Sequence, residues 1–173
     1  MQPRPAATPN PSIERTSSGT LRLPAAAAHV QTLGVTEEDI RMPTSLASEA
    51  NAFLEEYNRA FASISGDQIA ALYHEPCITV RGDGSVHCMQ SRTELARFFQ
   101  DVADTYYRDG YRNGRFSSLE VTPIGERSAL ITLDWEMLRE DGDLIRQWRQ
   151  SYNLVRVGAE WQILASIFHL KAP

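Results

Sequence analysis

The chain has 173 residues, of which 42% are hydrophobic and 23% charged, and its formal net charge is -5. That length predicts a single soluble globular domain with some additional chain. The acidic balance argues against a surface that follows nucleic-acid phosphates, and no apolar run approaches the roughly 18 residues of a membrane span. We therefore expect neither a nucleic acid nor a membrane as a partner.

The first 43 residues differ in composition from the rest of the chain. They hold six of the nine prolines, together with serine and threonine clusters and an alanine run at 25–28. Such a composition buries too little apolar surface to offset the entropy of ordering the chain. We predict a flexible N-terminal extension over residues 1–43, followed by one domain over residues 44–171.

Three amphipathic helices follow in order. Apolar residues recur at helical spacing from Leu46 to Ile64, and a second, short helix is predicted over 68–73, before Pro76. Ser91 and Glu94 have the spacing of a capping box, which predicts the start of a third helix whose apolar stripe ends near Tyr106.

Six strands are predicted around and after these helices. Two of them, over 77–81 and 86–90, enclose the turn signal Gly82-Asp83-Gly84. Four more follow the third helix, over 116–124, 129–139, 144–157 and 161–170. Helices in the first part of the chain and consecutive strands in the second part predict an α+β fold. In such a fold the helices lie on one face of a mostly antiparallel sheet.

Two cysteines, Cys77 and Cys88, flank the first predicted hairpin. A disulfide between them is possible, but two thiols in an acidic domain of this size are more typical of a reduced protein. We therefore expect a cytoplasmic location.

The chain resembles the nuclear transport factor 2-like superfamily, especially its SnoaL-like and ketosteroid isomerase-like members. The residues that carry the resemblance lie in Phe53–Phe61, Ala71–Cys77, Trp148–Val155 and Glu160–Ile163, and the likeness extends over residues 45–170. It implies a cone-shaped, bent sheet wrapped around three helices, with a pocket between them. Because this fold holds unrelated activities, it implies little about function.

Of the three functional positions that ketosteroid isomerase implies, this chain matches one. Tyr57 stands where that family keeps a tyrosine that donates to an oxyanion, whereas the general-base aspartate would fall near Val80 or Arg81. The second oxyanion donor, a carboxylic acid, would fall near Ser151 or Tyr152. An arginine stays charged and cannot accept a proton at neutral pH, so steroid isomerisation is disfavoured.

Candidate site residues come from these stripes and strands. Tyr57, Glu136 and His169 are the catalytic candidates, with Asp134 as an alternative base, although a solvated outer sheet face explains the two acids more simply. In the strand 144–157 the sequence leaves the inward face open. The expected ligand-binding residues are Tyr57, Tyr73, Arg81, Phe99, Trp135, Trp148 and Tyr152.

Three functions remain open from the sequence. The preferred one is binding of a small hydrophobic or amphipathic molecule in an apolar pocket with a few polar groups. The alternatives are an enzyme of the isomerase, dehydratase or cyclase kind, and a dimeric interaction module. No nucleotide-binding or nucleophile motif and no histidine pair with metal-ligand spacing is present. We expect no cofactor, no metal and a homodimer formed through the outer face of the sheet.

Overall fold

The computed structural model describes residues 45–170. The helices are α1 (Leu46–Ala62), α2 (Gly66–Ala71) and α3 (Arg92–Arg108). The strands are β1 (Tyr73–Val80), β2 (Val86–Met89), β3 (Asn113–Pro123), β4 (Ser128–Leu138), β5 (Leu144–Val157) and β6 (Glu160–Phe168). The predicted extension over residues 1–43 lies outside the described residues.

The six strands form one curved, unclosed sheet in the order β2-β1-β6-β5-β4-β3. β1 and β6 are parallel, and the other neighbouring pairs are antiparallel. The sheet with its three helices confirms the predicted α+β cone.

Each helix is preceded by a serine that caps its first turn. The hydroxyl groups of Ser45, Ser65 and Ser91 accept the backbone N–H three residues further on, which satisfies an otherwise unpaired donor of the first turn. The Glu94 carboxylate also accepts the backbone N–H of Gln90 at 2.7 Å. The predicted helix start at Ser91 is confirmed.

The core lies between the helices and the concave face of the sheet. The inward stripes of α1 and α3 and alternate residues of β4 belong to one hydrophobic core. This core includes Leu54, Phe61, Leu95, Phe99, Ile131 and Leu133. Burying each such side chain contributes about 1.5–3 kcal/mol.

The prediction that the second helix reaches Tyr73 is wrong. α2 ends at Ala71, and Tyr73 is the first residue of β1, opposite Ile163 of β6. The backbone N–H of Ile163 donates to the Leu72 carbonyl at 2.9 Å, so long-range strand pairing decides where the helix stops.

The structure does not join the two cysteines. Cys77 is buried, whereas Cys88 lies opposite Ile78 and is exposed, so the two thiols lie on opposite faces of the hairpin. A one-residue offset in register places neighbouring side chains on different faces, and both cysteines are free.

Candidate functional site

A cavity opens between α1, α3 and the concave face of the sheet. Its volume is about 40 Å³, which is room for a few water molecules. The structure places around it all seven residues predicted to bind a ligand: Tyr57, Tyr73, Arg81, Phe99, Trp135, Trp148 and Tyr152. Their role in binding stays a prediction.

Buried tyrosine hydroxyl groups meet at the inner wall of this cavity. The Tyr57 hydroxyl lies 2.9 Å from that of Tyr73, and the indole Nε1–H of Trp135 donates to the Tyr152 hydroxyl at 2.9 Å. The ring of Tyr57 also packs edge-on against that of Tyr152, with centroids 5.6 Å apart. Residues of α1, β1, β4 and β5 are thereby held in one cluster.

These phenols are protonated at neutral pH. Burial away from water raises the pKa of Tyr57 to about 12 and raises the pKa values of Tyr73 and Tyr152 well above the ordinary tyrosine value, because a phenolate loses its hydration there. The cluster can therefore donate hydrogen bonds to a ligand oxygen, but it cannot act as a base near pH 7.

Further polar groups occupy the strands beside the phenols. Ser166, on the cavity lining, shares a 2.8 Å hydrogen bond with the buried Thr79. The buried Gln150 accepts the indole N–H of Trp148 through Oε1 at 2.8 Å. Among the described residues the structure gives the amide nitrogen of Gln150 no acceptor, so this group is available to donate to a ligand.

The mouth of the cavity is built from aromatic rings and guanidinium groups. The rings of Trp148 and Phe168 stack with centroids 5.5 Å apart and an interplanar angle of 10°. The Arg81 guanidinium lies 5.2 Å from the Phe168 ring centre, and that of Arg146 lies 4.9 Å from the Trp148 ring centre. We call these four residues, Arg81, Arg146, Trp148 and Phe168, the mouth of the cavity.

A groove of about 630 Å³ lies outside the mouth. It shares Arg81, Trp148 and Phe168 with the cavity and also borders Arg146, Asp83 and His169. The mouth therefore separates a small inner space from a larger outer one.

Glu136 does not present a free carboxylate to the cavity. The residue borders the cavity, but its side chain alternates to the opposite face from Trp135 and forms an ion pair of 2.5 Å with Arg115. Asp134 lies on the same outer face and pairs with Arg149 at 3.2 Å. Both acids therefore lie on the outer face of the sheet, which is the simpler of the two interpretations of the sequence.

Side-chain alternation along the predicted strand 161–170 places His169 on the face that carries Ile163, and this prediction is wrong. β6 ends at Phe168, and its register against β5 shifts by one residue between Ile163 and Ala165. Such a bulge reverses the alternation, so Phe168 points inward. His169 is exposed, with its Nε2 2.8 Å from the Ser151 hydroxyl.

Sequence reasoning missed half of the cavity lining. Gln150 could have been found, because it alternates with Trp148 and Tyr152 on β5, whereas the bulge concealed Phe168. The Asn58 amide donates to the Gly114 carbonyl at 2.8 Å, and a Cβ at Gly114 would collide with Asn58 Oδ1. The missed residues are Asn58, Phe61, Tyr106, Tyr111, Gly114, Gln150, Ser166 and Phe168.

Residues 45–170 contain neither a side-chain cluster suited to a metal ion nor a helix suited to span a membrane. Within that range, no group of three or more His, Cys, Asp or Glu side chains is arranged to hold a metal ion. In the same part of the chain no helix is both long and apolar enough to cross a membrane.

Comparison with known proteins identifies the family. Residues 48–171 match the family described as NTF2-like protein (DUF6841), so the chain belongs to this NTF2-like family. None of the curated proteins matches the chain in sequence.

Several solved structures share the fold. Aln2 from a Streptomyces species is 13% identical, with a TM-score of 0.61 over 72% of this chain and 89% of that one. A domain of unknown function with a cystatin-like fold from Nostoc punctiforme is 22% identical, with a TM-score of 0.57 over 75% and 81%. An NTF2-like protein of unknown function from Shewanella oneidensis is 12% identical, with a TM-score of 0.57 over 72% and 98%. Identities this low show the fold alone.

Proposed function

We propose that this protein binds a small amphipathic molecule, which enters through the mouth and places a polar group against the tyrosine cluster. The observation that carries the proposal is the convergence of Tyr57, Tyr73 and Tyr152 hydroxyl groups on free space walled by aromatic rings. An apolar wall with a few oriented polar groups is the usual form of a small-molecule site.

The size of the cavity constrains how such a molecule would bind. Typical pockets for drug-sized ligands are roughly 300–1,000 Å³, whereas the inner cavity holds about 40 Å³. The outer groove, at about 630 Å³, falls within the usual range. A ligand that displaces the stacked Trp148 and Phe168 rings would occupy both spaces, so the proposal requires these side chains to move on binding.

Binding is favoured over the catalytic alternative. An isomerase, dehydratase or cyclase needs a base close to the substrate. On the described lining Glu136 is the one carboxylic residue, and Arg115 holds its side chain on the outer face. His169 lies on the groove side of the mouth. Tyr57 could still polarise a carbonyl oxygen, but no partner group for proton abstraction stands beside it among the described residues.

The interaction-module alternative predicts a filled interior, and the cavity weighs against it. Residues whose only role is to support an outer surface gain stability from close packing. Buried hydroxyl groups around free space bring no such gain.

The proposal is tested by identifying what the protein retains. Purified protein would be denatured and the released small molecules measured by mass spectrometry, for the natural sequence, Tyr57→Phe and Tyr107→Phe. Tyr107 is 48% exposed on α3 and is the matched control. Retention that falls in Tyr57→Phe but not in Tyr107→Phe supports the proposal. A protein that releases nothing and binds no amphipathic probe contradicts it.

A further inference from the structure

Arg81 is a partly buried cation without an acidic partner among the described residues. Its guanidinium lies between the rings of Phe98 and Phe168, 5.8 and 5.2 Å from their centres. Its hydrogen bond to a side chain is with the Tyr106 hydroxyl, at 3.4 Å. The four ion pairs found among residues 45–170 involve Arg115, Arg149 and Arg156 instead. When a guanidinium group is partly removed from water and has no counterion, little compensates for its lost hydration.

Arg146 extends the same arrangement on the other side of the mouth. Its guanidinium lies over the rings of Tyr106 and Trp148, at 5.2 and 4.9 Å. Arg146 likewise forms none of the ion pairs of the described residues. The stacked Trp148 and Phe168 rings are thus enclosed between two cations.

One carboxylate borders the groove in the described part of the chain, and it is already engaged. Asp83 accepts the backbone N–H and the hydroxyl of Ser85, at 2.9 and 2.7 Å. Asp83 and Arg81 form none of the ion pairs of the described residues. The hydrogen bonds from Ser85 lower the pKa of the Asp83 carboxyl group, and the charge of Arg81 adds a smaller contribution. Two guanidinium groups face one carboxylate, so the groove keeps a local positive charge in a protein whose net charge is -5.

We propose that the bound molecule is a carboxylate with an aromatic or flat apolar body, whose carboxylate is received at the mouth by Arg81 with Arg146 as the second cation. This inference rests on the proposed function and names the class of ligand. A guanidinium presents parallel N–H donors that match the two oxygens of a carboxylate. Once the Trp148 and Phe168 side chains have moved, a flat body would lie against their rings.

The test uses two probes of nearly equal shape, 2-naphthoate and 2-naphthamide, which differ in charge. Their Kd values would be measured by isothermal titration calorimetry for the natural protein, Arg81→Gln and Arg97→Gln. Arg97 is an exposed arginine of α3 and serves as the matched control. We expect the natural protein to bind the acid at least about tenfold more tightly than the amide, as one charge-assisted contact allows. Arg81→Gln should remove most of this preference, with a remainder from Arg146, and Arg97→Gln should change neither Kd value.

A second measurement needs no variant. Raising the salt concentration should weaken binding of 2-naphthoate to the natural protein and leave 2-naphthamide binding unchanged, because salt screens the charge interaction at an open groove. This keeps the inference testable if Arg81→Gln does not fold.

The outcomes separate the two claims. Equal affinity for acid and amide, or a preference that Arg81→Gln leaves unchanged, overturns the carboxylate inference and leaves the proposed function standing. Binding of neither probe overturns the carboxylate inference, and it overturns the proposed function as well if the denatured protein releases no small molecule.

Discussion

The hydroxyl groups of Tyr57 and Tyr73 lie 2.9 Å apart and connect α1 to β1 in the buried interior. Each ring also packs against other aromatic rings, Tyr57 against Trp135 at 5.9 Å and Tyr73 against Phe99 at 4.4 Å between centroids. The pair therefore fixes the position of a polar group at the inner wall of the cavity.

Removing one hydroxyl of this pair should destabilise the protein. In Tyr57→Phe the Tyr73 hydroxyl loses its partner while both rings stay packed, so we expect the free energy of unfolding to fall by about 1–2 kcal/mol. Urea denaturation followed by circular dichroism measures it, with Tyr107→Phe as the exposed control. A loss of equal size in both variants would show that the buried pair has no particular role.

Stability should decline in strongly alkaline solution because of Tyr57. Burial raises its pKa from 10.0 to about 12, so between those values the folded protein keeps a proton that the unfolded chain releases. Because proton binding is linked to folding, this phenol leaves the free energy of unfolding unaffected below pH 10. Above pH 10 the free energy of unfolding falls by about 1.4 kcal/mol per pH unit for one phenol. Denaturation at pH 9 and pH 11 should show a smaller decline for Tyr57→Phe than for the natural protein. Equal declines would contradict the assignment.

The two thiols should differ in reactivity. Burial raises the pKa of Cys77 to about 11, whereas Cys88 is exposed, and the thiolate is the form that reacts. Iodoacetamide at pH 8 should modify Cys88 in the folded protein, and Cys77 only after denaturation. Peptide mass mapping would reveal the site. A disulfide-linked peptide, or modification of Cys77 as fast as of Cys88, would contradict the arrangement.

The homodimer expected from the sequence stays a prediction. Ile78 and Ile167, on the parallel neighbours β1 and β6, are 45% and 42% exposed on the outer face of the sheet. If a second copy covers this face, Ile167→Glu should shift a dimer toward monomer, because a carboxylate would be buried without a partner. Native mass spectrometry at micromolar concentration measures this, with Leu144→Glu at the start of β5 as control. A natural protein that is monomeric there removes the dimer.

The sequence predicted those features that depend on periodic patterns. The apolar stripes of α1 and α3 and the full extent of β5 follow from side-chain alternation and from the need to bury one face. The tyrosine cluster could be anticipated because Tyr57 lies on the α1 stripe and Tyr152 alternates with Trp148.

What the sequence left open depends on contacts between distant residues. β5 carries Gln150 on its inward face and Val155 on its outward face, so polarity did not distinguish the two. The irregular register of β6 reversed the faces of Phe168 and His169, and no turn residue marks that bulge. Tyr73 entered β1 because it pairs with Ile163 of β6, which lies far along the chain.

The binding claim is tested most directly by the indole N–H signals of the three tryptophans in a ¹H–¹⁵N NMR spectrum, assigned with Trp→Phe variants. Trp135 and Trp148 line the cavity, whereas the Trp161 indole donates to Glu49 at 2.7 Å, away from it. On titration with 2-naphthamide we predict that the Trp135 and Trp148 signals shift and the Trp161 signal stays in place. Shifts confined to Trp161, or equal in all three, would contradict binding in the cavity.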